Sequence, residues 1–500
     1  MKIRKTKKKK NEIHAKSLGK HRSRSKPQDM ALSQVEHYLT YHVRQLLPHV
    51  LSKRSSKHVA YVFSLLSAVS SGFIVMISLY SDSWEKQLHY SAWQINMIAS
   101  LANLGMYLTP PILGFLADTH GPITLSALGI IGFIPSYSYV AYIFNHPALS
   151  NDHTFHLILM SFTVMGVSTS SLYFSALITC AKLYPDKRTL SISLPTTCYG
   201  LSSFLGSQLL NLPFFWSTNG DSTFLNLGRV FNTFACVYAV VGLLAWIATS
   251  TVSMFKHAAM SQQESCRNGN EDMDQNENDP LIAVEPVQER LAQKQFFKDP
   301  VALFVGISMI LSLGPSEMFL ANMGSLTKLL VGENAVLSSR LLSVYAVLNT
   351  VTRLSSGFIT DFLATRDISP KWILISLLSL SLMAQFLITN FSLSTTVVSP
   401  LKILLIGAMM GTVYGGLFTA YPVIILAMWG DKLFGTAYGS MMIAPAIGSV
   451  VSCMAYADIF DSKCVTEDTN ATSCIAPVFE ITSAQLIICI LVTVVVLRRH

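Results

Sequence analysis

Charge is scarce in this chain. Asp, Glu, Lys and Arg make up 13% of its 500 residues, about half the share of an ordinary soluble domain. A water-soluble core wrapped in a charged surface is therefore excluded. The Gly-rich loop that ends in Lys-Ser or Lys-Thr and cradles nucleotide phosphates is missing, so ATP is not expected to drive anything here. His and Cys nowhere take metal-ligand spacing, and the strand-turn-helix setting of a nucleophilic Ser is also wanting. These absences set aside enzymatic readings, and no cofactor or metal is expected. A cleavable signal peptide is lacking too: residues 1–57 are polar and basic, so the first apolar span is expected to act as its own insertion signal.

What the chain has in abundance is apolar sequence. Half its residues are hydrophobic (51%) and mean hydropathy is +0.44. Many runs reach the roughly 18–25 residues that cross a bilayer as helix. Twelve such spans are read, at 59–80, 95–115, 123–144, 155–177, 189–210, 229–255, 300–320, 338–358, 372–391, 401–421, 434–456 and 479–497. The fourth is the least regular, because Ser168 to Ser171 interrupts it. The expectation is an all-α polytopic membrane protein with a basic tail (1–58), a six-helix half (59–255), a disordered linker (256–299), a second six-helix half (300–497) and a short terminus (498–500).

Residues 1–58 hold sixteen Lys or Arg against three acidic residues. On a polytopic chain this reads as a solvated tail touching anionic lipid, not a nucleic-acid arm. Lys and Arg resist translocation. Lys182, Lys187, Arg188, Lys256, Arg290, Lys294, Arg366, Lys371 and Lys432 all fall on the tail's side, which is therefore expected to be cytosolic, as are both termini. The last loop on the opposite side carries Cys464 and Cys474 around the sequon Asn470-Ala471-Thr472. A disulfide and a glycan both suit an oxidising compartment. Within the linker, Glu277 stands four residues before Leu281-Ile282, the acidic dileucine pattern that a sorting adaptor reads on its way to a vacuole.

A phrase recurs across the halves. Gly114-Phe115-Leu116-Ala117-Asp118 returns as Gly357-Phe358-Ile359-Thr360-Asp361, 243 residues on, and Tyr199-Gly200 returns as Tyr438-Gly439, 239 residues on. Duplicated membrane units are the usual construction of secondary transporters. Gly114, Asp118 and the following Gly121 resemble the loop signature of the major facilitator superfamily, and Gly357 and Asp361 its second copy, although the signature's basic residues are missing. More closely, residues 30–500 resemble the fungal monocarboxylate transporter homologues of the vacuolar membrane. Val35-Glu36-His37-Tyr38-Leu39, Asn103 to Pro111, Gly132 to Tyr137 and Ala444-Pro445-Ala446-Ile447-Gly448 carry that likeness. The resemblance implies the major facilitator fold and carriage of a small solute across a vacuolar membrane.

Ionisable groups inside a span are expensive and mark a functional site by default. Asn349, Arg353, Gly357 and Asp361 recur every fourth residue and so share one ridge of helix eight. Arg353 stands eight residues before Asp361, about 12 Å from the helix end at 1.5 Å per residue. It is a candidate to fork onto a carboxylate, or else a gate residue. Glu317, after Gly314-Pro315, is a candidate proton carrier in a helix expected to break at Pro315; a solvated acid at the membrane boundary is the plainer reading. The resemblance falters here: monocarboxylate transporters proper carry Asp where this chain has Asn349, and Pro where it has Leu354. The leading function is a secondary-active transporter of a small organic solute, with a carboxylate as candidate and a proton as candidate partner. A non-transporting membrane sensor or scaffold on the same fold is the alternative.

Overall fold

In the computed structural model, residues 34–496 are described apart from 51, 75–83, 85–86, 91, 150, 188, 211, 220–221, 269–292, 332–334, 367, 394–398 and 466–472. Asn470 and the Glu277-Leu281-Ile282 pattern lie outside the described residues.

Helix α1 (Gln34–Val50) precedes α2 (Lys53–Ser71). Then come α3 (Ala92–Leu108), α4 (Pro110–His120), α5 (Pro122–Asn145) and α6 (Asp152–Leu183). A π-turn (Thr189–Ser193) leads into α7 (Leu194–Leu210), a hairpin of β1 (Trp216–Asn219) and β2 (Ser222–Leu225), and α8 (Leu227–Asn268). The second half holds α9 (Pro300–Ala321), α10 (Met323–Val331), α11 (Ala335–Ala364), α12 (Lys371–Leu393) and α13 (Pro400–Trp429). It closes with α14 (Phe434–Met441), α15 (Ile443–Ile459) and α16 (Ala476–Val496).

Among the described residues nine helices are long and apolar enough to span a membrane, or ten if the pair α3/α4, bent by 41°, counts as one span. The bend falls where Pro110 and Pro111 remove backbone donors. Two further traverses complete the twelve read from the sequence. One is the π-turn with α7, whose α-helical part has only 17 residues; the other is α11, which carries Arg340, Asn349, Arg353 and Asp361. Helix α7 falls short in length, and α11 in apolarity because it carries ionisable residues, of which Arg353 and Asp361 bond the other half.

Two departures from the sequence reading stand out. Gln34–Val50 is helical and packed on the bundle, within the stretch read as a solvated tail. Glu36, Thr40 and Val43, three to four residues apart, turn one face inward. Helix α9 runs unbroken through Pro315, where Gly314 lets the carbonyl of Gly448 approach so closely that an added Cβ would sit 2.6 Å from it. The Ser168–Ser171 run is tolerated because all four side chains are buried in the bundle, with Ser170 donating to the Met106 carbonyl. Cys464 and Cys474 form a disulfide with Cα atoms 5.3 Å apart. That loop marks the disulfide face; the end bearing α1 is the tail face.

Candidate functional site

The duplicated phrases meet across the halves. At the end of α4, the Asp118 carboxylate accepts the backbone N–H groups of Gly435 (3.2 Å) and Thr436 (2.5 Å). These are among the first amides of α14, donors that the helix itself leaves without partners. A Cβ on Gly114 would land 1.9 Å from the Gly435 carbonyl oxygen, and one on Gly439 would land 2.3 Å from that of Pro110. A Cβ on Gly435 would likewise fall 2.8 Å from the Gly114 carbonyl oxygen, so three glycines let these backbones touch.

The second copy repeats the device with the halves exchanged. At the end of α11, Asp361 accepts the Thr189 backbone N–H (2.9 Å) and hydroxyl (2.5 Å) at the start of the π-turn. A Cβ on Gly357 would strike the Ser193 side chain at 2.3 Å. Ser193 donates to the carbonyls of Arg353 and Leu354. Each half thus ends a helix on a carboxylate that caps a helical start in the other. These two latches close the tail face.

Arg353 sits just inside the second latch and is only 6% exposed. Its Nε donates to Asn349 Oδ1 (2.9 Å) on its own helix, and Nη1 to the Thr196 carbonyl (3.2 Å) in the other half. Gly200 lies against the side chain, its Cβ position 3.6 Å from Arg353 Cδ, an ordinary van der Waals contact. The Gly411 and Gly415 stripe of α13 brings the carbonyls of Tyr345 and Asn349 within 2.5 and 2.2 Å of would-be Cβ atoms, so α11 is seated tightly below the guanidinium. Asn349 thereby holds Arg353 where monocarboxylate transporters proper place an acid.

Aromatic side chains gather about Arg353. Its guanidinium carbon lies 5.9 Å from the Tyr414 ring and 5.4 Å from Phe418, cation–π distances. Tyr414 donates its hydroxyl to Glu317 Oε1 at 2.8 Å. Tyr107, Tyr199 and Tyr345 lie within electrostatic reach of both Glu317 and Arg353, and Tyr173 packs on Tyr199 at 4.7 Å. Tyr107, Tyr173, Tyr199, Tyr414, Phe418 and Glu317 are all half-buried. Glu317 is therefore held by Tyr414 in the same aromatic cluster as Arg353, within the bundle and not at its solvated boundary. The sequence argument passed over these tyrosines, since in an apolar chain they read as packing or interfacial belts.

A match to a family model decides the fold family: the Major Facilitator Superfamily model covers residues 60–452. The chain belongs to the major facilitator superfamily. It is 54% identical over 481 residues to a protein of Saccharomyces cerevisiae named Probable transporter MCH1, covering 93% of this chain and 98% of that one. A protein of the same name from Candida glabrata is 49% identical over 483 residues, with the same coverage. Among solved structures, the proton:xylose symporter XylE superposes with a TM-score of 0.56 at 14% identity, covering 86% of this chain and 94% of that one. The E. coli fucose:proton symporter FucP gives 0.52 at 13%, covering 88% and 99%. At such identities the likeness is one of fold. Superfamily members are transporters, not enzymes, and this chain is a multi-pass membrane protein of that kind.

Proposed function

We propose that this chain is a secondary-active carrier of a small organic carboxylate, working by alternating access, with a proton carried at Glu317. The supporting observation is the placement of Arg353, which joins the two halves and stands within the aromatic cluster at once. A guanidinium has five N–H groups; two are committed to Asn349 and Thr196, which leaves three for a solute. A carboxylate drawing on them competes with the Thr196 carbonyl, a bond that crosses between the halves. Solute binding and release of the tail face are thereby linked. Glu317 belongs to the same cluster, so protonating it removes the negative charge that a carboxylate would meet there.

The test is uptake of labelled small monocarboxylates into vesicles containing the purified protein, with and without an imposed pH gradient. Wild type is expected to accumulate solute along the gradient. Glu317→Gln is expected to lose the gradient response while retaining solute exchange. Wild-type vesicles that take up no carboxylate, with or without a gradient, would sink this reading.

The tail face is proposed to be cytosolic and the membrane vacuolar, with Glu277, Leu281 and Ile282 read by a sorting adaptor and Asn470 glycosylated in the lumen. The positive residues of the tail-side loops support this orientation. A tagged chain should reach the vacuolar membrane, and Leu281→Ala with Ile282→Ala should divert it. Asn470→Gln should remove a glycosidase-sensitive mobility shift; an unchanged band in wild type after glycosidase treatment would argue against luminal placement.

A further inference from the structure

Helix α1 lies outside the stretch that matches the superfamily model, and nothing in the transport cycle described above uses it. Its inner face is specific. Glu36 is 2% exposed, and its Oε1 accepts the Ser253 hydroxyl of α8 at 2.6 Å. The same carboxylate presses on Gly121, where a Cβ would fall 2.8 Å from Oε1. Trp246 of α8 donates its indole N–H to the Leu39 carbonyl at 2.8 Å. Gly121 has φ +79°, a conformation natural to glycine, and it follows Asp118 by three residues. So α1 is anchored against the turn that carries the first latch.

The outer face is different. Val35, Tyr38 and Leu46 are exposed and, with His42, recur at i, i+3, i+7 and i+11, one stripe along the helix. Arg44 and His37 are bonded to each other at 3.0 Å on the opposite flank. An apolar and aromatic stripe opposite a cationic flank suits a helix lying in a lipid headgroup layer. Charge names the lipid: residues 1–58 carry sixteen basic residues against three acidic ones, which complements an anionic surface.

We propose that α1 is an interfacial helix that beds its Val35–Tyr38–Leu46 stripe in the anionic leaflet on the tail face, and that Glu36 passes this hold to the Gly121 turn and so to the Asp118 latch. The lipid surface then helps to keep the tail face closed.

The experiment is hydrogen exchange of the full-length protein in vesicles of phosphatidylcholine alone and of phosphatidylcholine mixed with phosphatidylserine. Amides of residues 34–47 and 119–124 should exchange roughly fivefold more slowly in the anionic vesicles, the effect of one Arg near such a surface. Tyr38→Glu with Leu46→Glu should abolish the lipid dependence in both segments. Glu36→Ala should keep it in α1 and lose it at 119–124. Equal exchange of wild type in the two vesicles overturns the proposal, as does protection of α1 with an indifferent Gly121 turn. Protection of α1 only after adding soluble cell protein would assign the stripe to a protein partner and overturn it as well. The readout involves no flux, so it stands or falls apart from the transport reading.

Discussion

Replacing Arg353 by Ala is expected to lower carboxylate uptake about a hundredfold without unfolding the protein. A hydrogen bond to a charged group contributes about 1.5–3 kcal/mol, and ~3 kcal/mol corresponds to two decades of affinity. The side chain donates to one carbonyl of the other half and one amide of its own helix, so its removal leaves few groups stranded. Arg353→Lys keeps the charge but loses the planar fork, and should recover part of the rate, not all. Initial uptake rates beside a thermal unfolding curve separate the two effects. A wild-type rate in a stable Arg353→Ala protein would place solute recognition elsewhere.

The larger conformational effect should come from Asp118→Asn combined with Asp361→Asn. Each carboxylate accepts two hydrogen bonds from the opposite half. Loss of the charge weakens each pair by about 1.5–3 kcal/mol. Both latches close the same face, so the two losses bear on one equilibrium, and the closed state should lose ground by more than a hundredfold. A thiol placed at Thr197, buried in the present state, reports the change through its labelling by a membrane-impermeant reagent from the tail face. Labelling should be slow in the parent, faster in either single variant and fastest in the double variant. Equal labelling in all four would show that the carboxylates do not hold the face closed.

The sequence disclosed one side of each latch and hid the other. Gly114, Asp118, Gly357 and Asp361 stand out because the phrase repeats, and repetition needs no structure to be seen. Their partners are backbone amides of Gly435, Thr436 and Thr189, with the Thr189 hydroxyl as the one side-chain partner. Any residue but proline supplies an amide, so no side-chain pattern announces one. Span existence was legible from apolar run length. Helix α1 was not, because an overwhelmingly basic neighbourhood masked a single inward face of Glu36, Thr40 and Val43. Glu317 was legible as an ionisable group in a span, but its place in the cluster around Arg353 depends on Tyr414, 97 positions away. Helix α9 passing straight through Pro315 reflects packing against Gly448, a tertiary contact that overrides a local breaker.

The latches pair carboxylates with amides and a hydroxyl inside an apolar seam, where Phe174 stacks on Tyr438 at 5.4 Å across the halves, and that mixture bears on speed. When an apolar seam parts, water gains nothing in return for the exposed surface. When Asp118 or Asp361 lets go, water at once solvates both the oxygen and the N–H, so most of the bond's strength is recovered. The greasy part of the seam should therefore set how often the face parts, and the carboxylates where it shuts again.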